Sequence, residues 1–578
     1  MTNPNVSKLQ RLNYSSPRGN DKSISHQSDL FVETYLHKYL ADEVLDAKYK
    51  LVLITGCSGD GKTDFIQWLE KEKMGEDLDL SEKPIGRVDW IEYGDILFST
   101  LYDAEMTYEE EEQGPEELLH DNLDDFTGEE WAEPQCYRIF SITRDHLRQF
   151  LADNAEDYPK LNRVIMPALD DMDPNPRPAL KEGILVVDLT FRSIVGDILR
   201  EDGLEEGCLY DRVISKFTDK MLWKPCEKCE AYSFCPIRYN MSALSPANGK
   251  PVPQRLLKFL TAFHYRRIFH LTLRDLISLL VHSFVTDSSC EDIIEEGANS
   301  EKLFPLFYFN RLFTSPGTLG TLLDEIDVAA VNSPGLDERL YSREDVDSDP
   351  ENLPNMVIRD LMDGLEYIES PTALREMKRA LRQGRKRKLF FEDTKEGKGS
   401  STELFPYRSF DLFDAVAKKK ESPGALFKKI MAAISRREGL ELDQKDRFFF
   451  TLDSNFEDLT TYYGGDTRDF ELIVPIPKTV SGHREYLPGY LLLRHKDDHI
   501  IDLRVNLDVL EYLLYGTFNL PEKPDYIPEL EHRLRVFKEK LETELDLSTF
   551  YIRSEDGQVA KVSRSGLTGR IDFITENE

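Results

Sequence analysis

The 578-residue chain carries a formal net charge of −34, with 107 Asp and Glu residues against 73 Lys and Arg. This acidity excludes nonspecific attachment to nucleic acid over the whole surface, because most of that surface would repel a phosphate polymer. The length allows about three or four domains, and a hydrophobic content of 40% is enough for ordinary globular cores.

Two further properties of the composition concern cellular location. No run approaches the ~20 apolar residues of a membrane span, and residues 1–20 lack the apolar centre of a signal peptide. The seven cysteines are too sparse for a disulfide framework, which fits a reducing compartment. We therefore expect a cytoplasmic protein without a membrane partner.

The first predicted elements are an N-terminal helical segment over residues 1–48 and a short strand, LVLIT, at 51–55. The strand runs into a loop that fits G-x-x-x-x-G-K-[ST] without a mismatch, and an amphipathic helix follows. Glycines in such a loop let backbone N–H groups converge on phosphate oxygens, while the helix directs its positive end at the same anion. The alternative is an ordinary strand–turn–helix in which the Lys-Thr pair is accidental.

The loop therefore predicts binding of ATP or GTP with Mg²⁺. Lys62 would neutralise the outer phosphates, and the Thr63 hydroxyl would bind the metal. The predicted nucleotide-binding residues are Gly56, Ser58, Gly59, Asp60, Gly61, Lys62, Thr63 and Asp64.

Residues 102–135 hold much of the acidic excess. The segment has few periodic apolar residues, so we expect a solvated, mobile insertion. A lid or a DNA-mimicking segment is the sharper alternative.

Three further apolar segments, each followed by a helical pattern, predict strands within GRVDWIEYGD, CYRIFSITRDHLRQFL and GILVVDLTFRSIVGDIL. Strands that alternate with helices predict a doubly wound parallel sheet. Asp188 ends the last strand and is the predicted metal-orienting carboxylate, so Lys62 and Asp188 are the predicted catalytic residues. A helix-capping role for Asp188 is equally open. Leu189 stands at the position where a Glu that polarises the attacking water would follow. Glu92 and Asp95 are rival candidates for the metal or water role.

Three cysteines, Cys226, Cys229 and Cys235, lie within ten residues. Thiolates at this spacing can bind one tetrahedral ion, which favours structural Zn²⁺ over a metal-free cluster, with an iron–sulfur cluster as a further alternative. The fourth ligand is open among the nearest thiol, Cys208, and the histidines His264 and His270; we take Cys208 as the predicted ligand.

Helices are predicted over residues 250–290, where Arg274 is a candidate γ-phosphate sensor or a structural, salt-bridged arginine. A basic segment follows. One interpretation is a solvated helix face. The other, which is equally open, is a contact for nucleic-acid phosphate, for a neighbour's nucleotide or for an acidic partner. Its cations are Arg375, Lys378, Arg379, Arg382, Arg385, Lys386, Arg387 and Lys388.

The C-terminal part carries further predicted strands and helices and ends in a hairpin pattern, which is typical of an α+β accessory domain. The predicted fold is α/β: a P-loop NTPase with a doubly wound parallel sheet, a Cys-rich zinc insertion, a helical subdomain and this C-terminal domain. The predicted domains are 1–48, 49–250 with the acidic insertion 102–135 and the Cys-rich element 208–240, 251–395, and 402–578.

Several motifs together resemble one family of bacterial defence-island ATPases, the DptF-like ATPases of DNA phosphorothioation-dependent restriction systems. The similar segments are GCSGDGKTDFI, FSITRDHLRQFL, VVDLTFRSIV and CEKCEAYSFCPIRYN. The chain departs from the family pattern at Thr143, Arg144 and Thr190, which affects the γ-phosphate sensor.

The resemblance implies a complex with DptG- and DptH-like subunits that restricts DNA lacking the sulfur modification, contacted directly or through those partners. The expected function is a P-loop ATPase subunit whose nucleotide-driven conformational change controls that complex. The alternative is a weakly hydrolysing nucleotide-dependent switch that recruits protein partners.

Overall fold

The structure is a computed structural model. The residues that it describes are 2–13, 30–76, 88–105, 114–131, 133, 135–170, 172–173, 180–196, 207–266, 269–340, 342–394, 401–438, 447–456, 459–477, 485–497, 500–516, 526–544, 549–554, 558–564 and 570–576.

The strands in chain order are β1 (Leu51–Thr55), β2 (Val88–Tyr93), β3 (Ile96–Leu101), β4 (Tyr137–Ile142), β5 (Met172–Asp173), β6 (Leu180–Lys181), β7 (Ile184–Asp188), β8 (Arg447–Phe456), β9 (Leu459–Asp466), β10 (Phe470–Ile473), β11 (Ile476–Pro477), β12 (Leu491–His495), β13 (Asp502–Val505), β14 (Thr549–Ser554), β15 (Val559–Arg564) and β16 (Ile571–Glu576).

The α-helices are α1 (Pro4–Gln10), α2 (Ala41–Leu45), α3 (Lys62–Trp68), α4 (Pro115–Leu123), α5 (Arg144–Asp153), α6 (Pro159–Asp170), α7 (Leu209–Phe217), α8 (Lys220–Trp223), α9 (Pro236–Leu244), α10 (Val252–Arg266), α11 (Leu273–Leu280), α12 (Cys290–Glu296), α13 (Ser300–Leu303), α14 (Tyr308–Arg311), α15 (Gly317–Asp324), α16 (Pro334–Arg339), α17 (Glu344–Asp347), α18 (Leu353–Gly364), α19 (Pro371–Glu392), α20 (Phe410–Ala417), α21 (Pro423–Arg437), α22 (Leu507–Tyr515) and α23 (Tyr526–Glu544). Short π-helical segments extend some of them, including Leu69–Lys73 after α3 and Val281–Val285 after α11.

Six of the described strands form the main sheet, in the order β2-β3-β4-β1-β7-β6. The four central strands β3, β4, β1 and β7 are parallel, and the outer strands β2 and β6 run antiparallel to their neighbours. The fold is therefore mixed α/β with a mostly parallel sheet. Because parallel strands share their direction, the carboxyl ends of the four central strands meet at one edge.

The two faces of this sheet carry separate apolar cores, because side chains alternate along each strand. Leu51 and Leu53 of β1 pack in a cluster with side chains of α4, α5 and α6. Val52 and Ile54 point to the other face and join side chains of α2 and α3. Helices thus cover both faces of the sheet.

The sequence prediction for the acidic segment 102–135 was wrong in its described part. Residues 115–123 form α4, and Leu118, Leu119, Leu123 and Phe126 are buried in the core. These apolar residues recur at near-helical spacing, so one face of the segment is apolar despite its charge. Residues 106–113 of the segment lie outside the described residues.

The predicted strand segments cover β2 but stop short of β3. The segment GRVDWIEYGD contains β2, which turns back through Gly94 (φ +62°) and pairs antiparallel with β3. The expected helix after β2 is therefore absent from this described stretch, and β3 was missed. After β7, the chain forms a 3-10 turn at Leu189–Phe191, and the end of the predicted helix lies outside the described residues.

The contacts divide the chain into two compact units. The first holds the main sheet and the helices up to α19, together with residues 476–487. The second holds the antiparallel sheet β16-β15-β14-β9-β8, the sheet β10-β12-β13 and the helices α20–α23. The predicted four-part division is finer and stays a prediction. Among the described helices, none is long and apolar enough to cross a membrane.

Candidate functional sites

The glycine-rich loop leaves the central strand β1 at the carboxyl edge of the sheet. β1 lies between β4 and β7, with Thr55 opposite Ile142 and Asp188. Gly56 has a φ of +155°, and a Cβ there would lie 2.9 Å from both Asp60 Oδ2 and Leu189 Cβ. A side chain at this position would therefore push the loop away from β7.

Lys62 and Thr63 occupy the first turn of the helix that follows the loop. Lys62 Nζ donates to the carbonyl oxygens of Gly56 (2.9 Å) and Cys57 (3.1 Å), so the amine lies inside the curve of the loop. The Thr63 hydroxyl donates to the carbonyl oxygen of Tyr102 at 3.1 Å, just after β3. The two predicted polar ligands therefore both face the carboxyl edge of the sheet.

The side chain of Asp60 stabilises the conformation of the loop. Its buried carboxylate accepts the backbone N–H of Cys57 at 2.7 Å and lies 2.9 Å from His270 Nε2, and the Arg192 guanidinium lies 4.0 Å away. Ligand atoms of Cys57, Asp60 and His270 lie within 4.8 Å of one another, which is compact enough for a metal ion. Asp60 therefore stabilises the loop conformation, whereas the sequence analysis placed it among the nucleotide ligands.

The amino end of α11 packs against the tip of the loop. Arg274 donates from Nη1 to Ser58 Oγ (3.1 Å) and from its backbone N–H to Gly59 O (3.3 Å). A Cβ on Gly59, whose φ is +98°, would lie 2.8 Å from Arg274 Cβ and 2.9 Å from Thr272 Oγ1. Arg274, the candidate phosphate sensor, thus lies directly against the loop.

Asp64 in the first turn of α3 has an unusual electrostatic environment. Burial raises the pKa of Asp64 to about 6, against the lowering effect of the nearby Arg274 and Arg192 charges. The first turn of α3 therefore carries a carboxyl group that holds its proton to higher pH than an exposed aspartate does.

The structure favours the capping alternative for Asp188. The side chain is fully buried, and Oδ1 accepts the backbone N–H (3.0 Å) and hydroxyl (2.7 Å) of Thr190, as a cap of the 3-10 turn. Arg144 Nη1 lies 3.4 Å from the other oxygen, Oδ2. The carboxylate is thus already bound by its own turn and by an arginine from the end of β4.

The rival carboxylates Glu92 and Asp95 lie at the wrong edge of the sheet. Glu92 is near the end of β2, and Asp95 is in the turn that leads into β3. Because β3 runs parallel to β1, its amino end lies at the edge of the sheet that is farthest from the glycine-rich loop. Neither residue is therefore positioned to contact a metal bound at Thr63.

Two acidic residues that were not predicted, Asp103 and Glu105, follow β3 at the edge of the sheet where the glycine-rich loop lies. Burial raises the pKa of Asp103, against the lowering effects of the backbone N–H of Glu105, which donates to Asp103 Oδ1 at 3.1 Å, and of the Lys62 charge. Glu105 accepts the backbone N–H of Thr143 after β4. The apolar run ILFSTLY followed by Asp-x-Glu was the signal, but the predicted strand segment ended at Asp95, just before β3.

A second candidate site is a cavity lined by four thiols: Cys226, Cys229, Cys235 and Cys290. Burial raises the pKa of Cys235 to about 12, against the lowering effect of hydrogen bonds from the backbone N–H groups of Arg238 and Ile237. Asn3 in the N-terminal segment donates from Nδ2 to Cys226 Sγ at 3.2 Å. The three cysteines of the predicted cluster are thus joined by a fourth from α12.

The predicted fourth ligands lie elsewhere. Cys208 is buried at the start of α7, where its thiol donates to Asp211 Oδ2 at 3.2 Å. His264 Nε2 lies 2.8 Å from the carbonyl oxygen of Leu487, and His270 contacts Asp60. None of the three lines the four-thiol cavity. The correction follows from the fold, because Cys290 is distant in sequence but adjacent in space.

The basic segment is largely neutralised within the protein. It lies on α19, where Arg385, Lys386 and Arg387 are buried. They lie 3.1 Å from Asp345, 3.1 Å from Asp337 and 2.6 Å from Asp327, respectively. The structural interpretation therefore holds for these three residues. The cations Arg375, Lys378, Arg379 and Arg382 are exposed, and Arg382 Nη2 lies 3.4 Å from Asp337 Oδ1.

Comparisons with known proteins give no family assignment. No family model, no curated protein and no solved structure matches this chain. The geometry of the two sites and the motifs themselves therefore carry the information on function.

Proposed function

We propose that the first unit binds a nucleoside triphosphate with Mg²⁺ at residues 56–63. The observation that supports this most strongly is the position of the loop, between the central parallel strand β1 and the first turn of α3. Backbone N–H groups and a helix amino end meet there, and α3 continues through Leu69–Lys73, so its dipole extends over several turns. Phosphate is the ligand that such an arrangement binds best.

The side chains have distinct roles in this proposal. Lys62 would exchange its bonds to the loop carbonyls for phosphate oxygens, which need a cation more strongly. The Thr63 hydroxyl and the Asp103 carboxylate would bind Mg²⁺, because this ion prefers oxygen ligands. Asp103 takes the part that the sequence analysis gave to Asp188, since the Asp188 carboxylate is bound by Thr190 and Arg144.

Hydrolysis of ATP is the activity that we propose for this site, and movement of α11 is its mechanical output. Arg274 contacts both Ser58 and Gly59. A change in the loop conformation around the γ-phosphate would therefore first move the amino end of α11. Order and disorder around a terminal phosphate is a common way in which such proteins switch.

The biological setting is proposed from the resemblance described above. We infer a subunit of a DNA-targeting defence complex of the phosphorothioation-dependent restriction type, acting with DptG- and DptH-like proteins. Nucleotide turnover would control assembly or activity of that complex. DNA would be contacted directly or through those partners.

A weakly hydrolysing switch is the second candidate function. Two contacts favour it. The Asp188 carboxylate accepts hydrogen bonds from Thr190 and is paired with Arg144, and the Glu105 carboxylate accepts the backbone N–H of Thr143. A carboxylate engaged in this way is a poor general base, because it must give up a hydrogen bond before it can polarise water.

Turnover measured with and without DNA distinguishes the two functions. The purified chain, alone and with its partner subunits, is assayed for Mg²⁺-dependent phosphate release, with Lys62→Ala as the inactive control. Release that needs Lys62 and increases with DNA supports the restriction ATPase. Tight nucleotide binding with no Lys62-dependent release supports the switch, and Lys62-independent release excludes this loop as the source.

A further inference from the structure

The four-thiol cavity joins parts of the chain that are far apart in sequence. Cys226 and Cys229 lie in and after the 3-10 turn Lys224–Lys228, Cys235 caps α9, and Cys290 begins α12. Asn3 and Val6 of the N-terminal segment also line it. Four thiols from three segments line one cavity, and nothing in the proposed nucleotide chemistry uses them.

The spacing of the thiols discriminates between the possible metals. Among the described residues, only Cys57, Asp60 and His270 place three such ligand atoms within 4.8 Å of one another, so no three of the four cavity thiols do. One tetrahedral Zn²⁺ with Zn–S bonds of ~2.3 Å holds its thiolates only ~3.8 Å apart. A cluster in which each sulfur binds a different iron atom needs the wider separation.

Hydrogen-bond donors surround these sulfurs. Asn3 donates its side-chain N–H to Cys226 Sγ at 3.2 Å. The backbone N–H groups of Ile237 and Arg238 point at Cys235. Such N–H donors stabilise the negative charge that thiolates and bridging sulfides carry in iron–sulfur sites.

Arg238 supplies a separate observation. Its side chain lines the cavity and stacks on Tyr232, with the guanidinium 4.2 Å from the ring centre. Arg238 Nε is buried and finds no acceptor within the described part of the chain. A buried donor of a charged group without an acceptor is costly, and an anionic centre in the cavity would supply the missing acceptor.

We propose that Cys226, Cys229, Cys235 and Cys290 bind a [4Fe–4S] cluster, with Cys290 as the fourth ligand. Each thiol releases its proton to water as its sulfur forms a bond to one iron. The cluster connects the Cys-rich turn and α9 to α12, and through Asn3 it fixes the N-terminal helix α1. The alternative of zinc, which the cysteine spacing in the sequence favoured, requires the thiols to stand closer together than they do.

The full-length chain, purified without oxygen, tests the proposal before any variant is made. We expect roughly four iron atoms and four acid-labile sulfides per chain, with a broad visible absorption band that dithionite bleaches. About one zinc atom per chain without iron, or no bound metal at all, would overturn the cluster.

Matched cysteine variants then test the ligand assignment. Cys290→Ser should lose most of the iron and sulfide, whereas Cys208→Ser, which alters another buried thiol, should keep both. Circular dichroism of each variant separates loss of ligand from loss of fold. Full iron content in a folded Cys290→Ser protein, or iron lost from a folded Cys208→Ser protein, would contradict the assignment of Cys290.

Discussion

At the scale of single residues, the candidate nucleotide site depends on which carboxylate binds the metal. Asp188 has the sequence context of a metal ligand, but Thr190 supplies two donors to it and Arg144 lies beside it. Asp103 interacts with the Lys62 charge and follows the residue whose carbonyl accepts the Thr63 hydroxyl. A carboxylate can therefore bind the metal only if it follows a strand end that faces the loop. An apolar run before an acidic residue does not by itself identify the metal ligand.

Substitution of Asp103 should affect ATP turnover, whereas substitution of Asp188 should affect stability. Asp103→Asn should reduce Mg²⁺-dependent ATP turnover roughly 100-fold or more, because the metal loses a charged ligand, and should leave the unfolding midpoint unchanged. Asp188→Asn should lower the free energy of unfolding by ~2 kcal/mol, because the arginine and the turn lose a charged acceptor.

Phosphate release and urea unfolding, measured on the same two preparations, check this pair of expectations. Equal turnover in Asp103→Asn and the unmodified chain, together with abolished turnover in a fully stable Asp188→Asn, would return the metal role to Asp188.

Asp64 gives the stability of the first unit a pH dependence. Its carboxyl group has an ordinary pKa of 3.8, which burial raises to about 6 in the folded chain. Between these values the folded state keeps a proton that the unfolded state releases, so the stabilising effect present at low pH is lost as pH rises to about 6.

We expect the free energy of unfolding to fall by at most ~3 kcal/mol across this window through Asp64. Urea unfolding at closely spaced pH values is the measurement. Asp64→Asn should flatten this part of the profile, whereas Asp46→Asn, which changes an exposed carboxyl group, should not. An unchanged profile in Asp64→Asn would show that the group titrates normally.

At the scale of elements, α19 illustrates how a charge pattern can mislead. Its cations cluster in sequence, yet Arg385, Lys386 and Arg387 turn into the protein and meet acidic residues of α16, α17 and the segment before Val328. A buried ion pair adds little to stability by itself, but the loss of one partner leaves an uncompensated charge.

Arg387→Ala should therefore destabilise the chain by ~3 kcal/mol, because buried Asp327 would lose its partner at 2.6 Å. Arg375→Ala, on the exposed part of the same helix, should change stability by less than ~0.5 kcal/mol. Chemical unfolding of both variants decides the matter. Equal midpoints would mean that the buried pair contributes nothing.

Elements with a single dominant pattern were predictable from the sequence. The strands β1, β4 and β7 are continuous apolar runs, as buried parallel strands are, and α10, α22 and α23 have clear helical spacing. β3 was missed because a two-residue turn separates it from β2, and α4 was missed because acidic residues obscure its apolar face. In both cases packing against the sheet decided the structure.

At the scale of the whole chain, the two candidate sites lie at opposite ends of one helical segment. α11 and its extension Val281–Val285 begin beside Gly59 and end shortly before Cys290. The N-terminal segment is fixed at the same end, where Gln10 donates to the carbonyl oxygens of Thr286 and Ser288. A movement that begins at the loop can therefore reach the cysteine site through one continuous element.

The candidate sites were predictable only where their residues are neighbours in sequence. The loop from Gly56 to Thr63 and the trio Cys226, Cys229 and Cys235 are local patterns, and the structure keeps each together. Asp103 and Cys290 reach their sites only through the pairing of β3 and the packing of α12. Long-range contacts of this kind depend on the tertiary fold, which no local spacing encodes.

The central claim is that residues 56–63 bind a nucleoside triphosphate, and calorimetric titration of the full chain with ATP and Mg²⁺ tests it most directly. We expect saturable heat for about one nucleotide per chain, with binding lost in Lys62→Ala and retained in Arg375→Ala. No heat from ATP or GTP, or equal binding by Lys62→Ala and the unmodified chain, would contradict the claim.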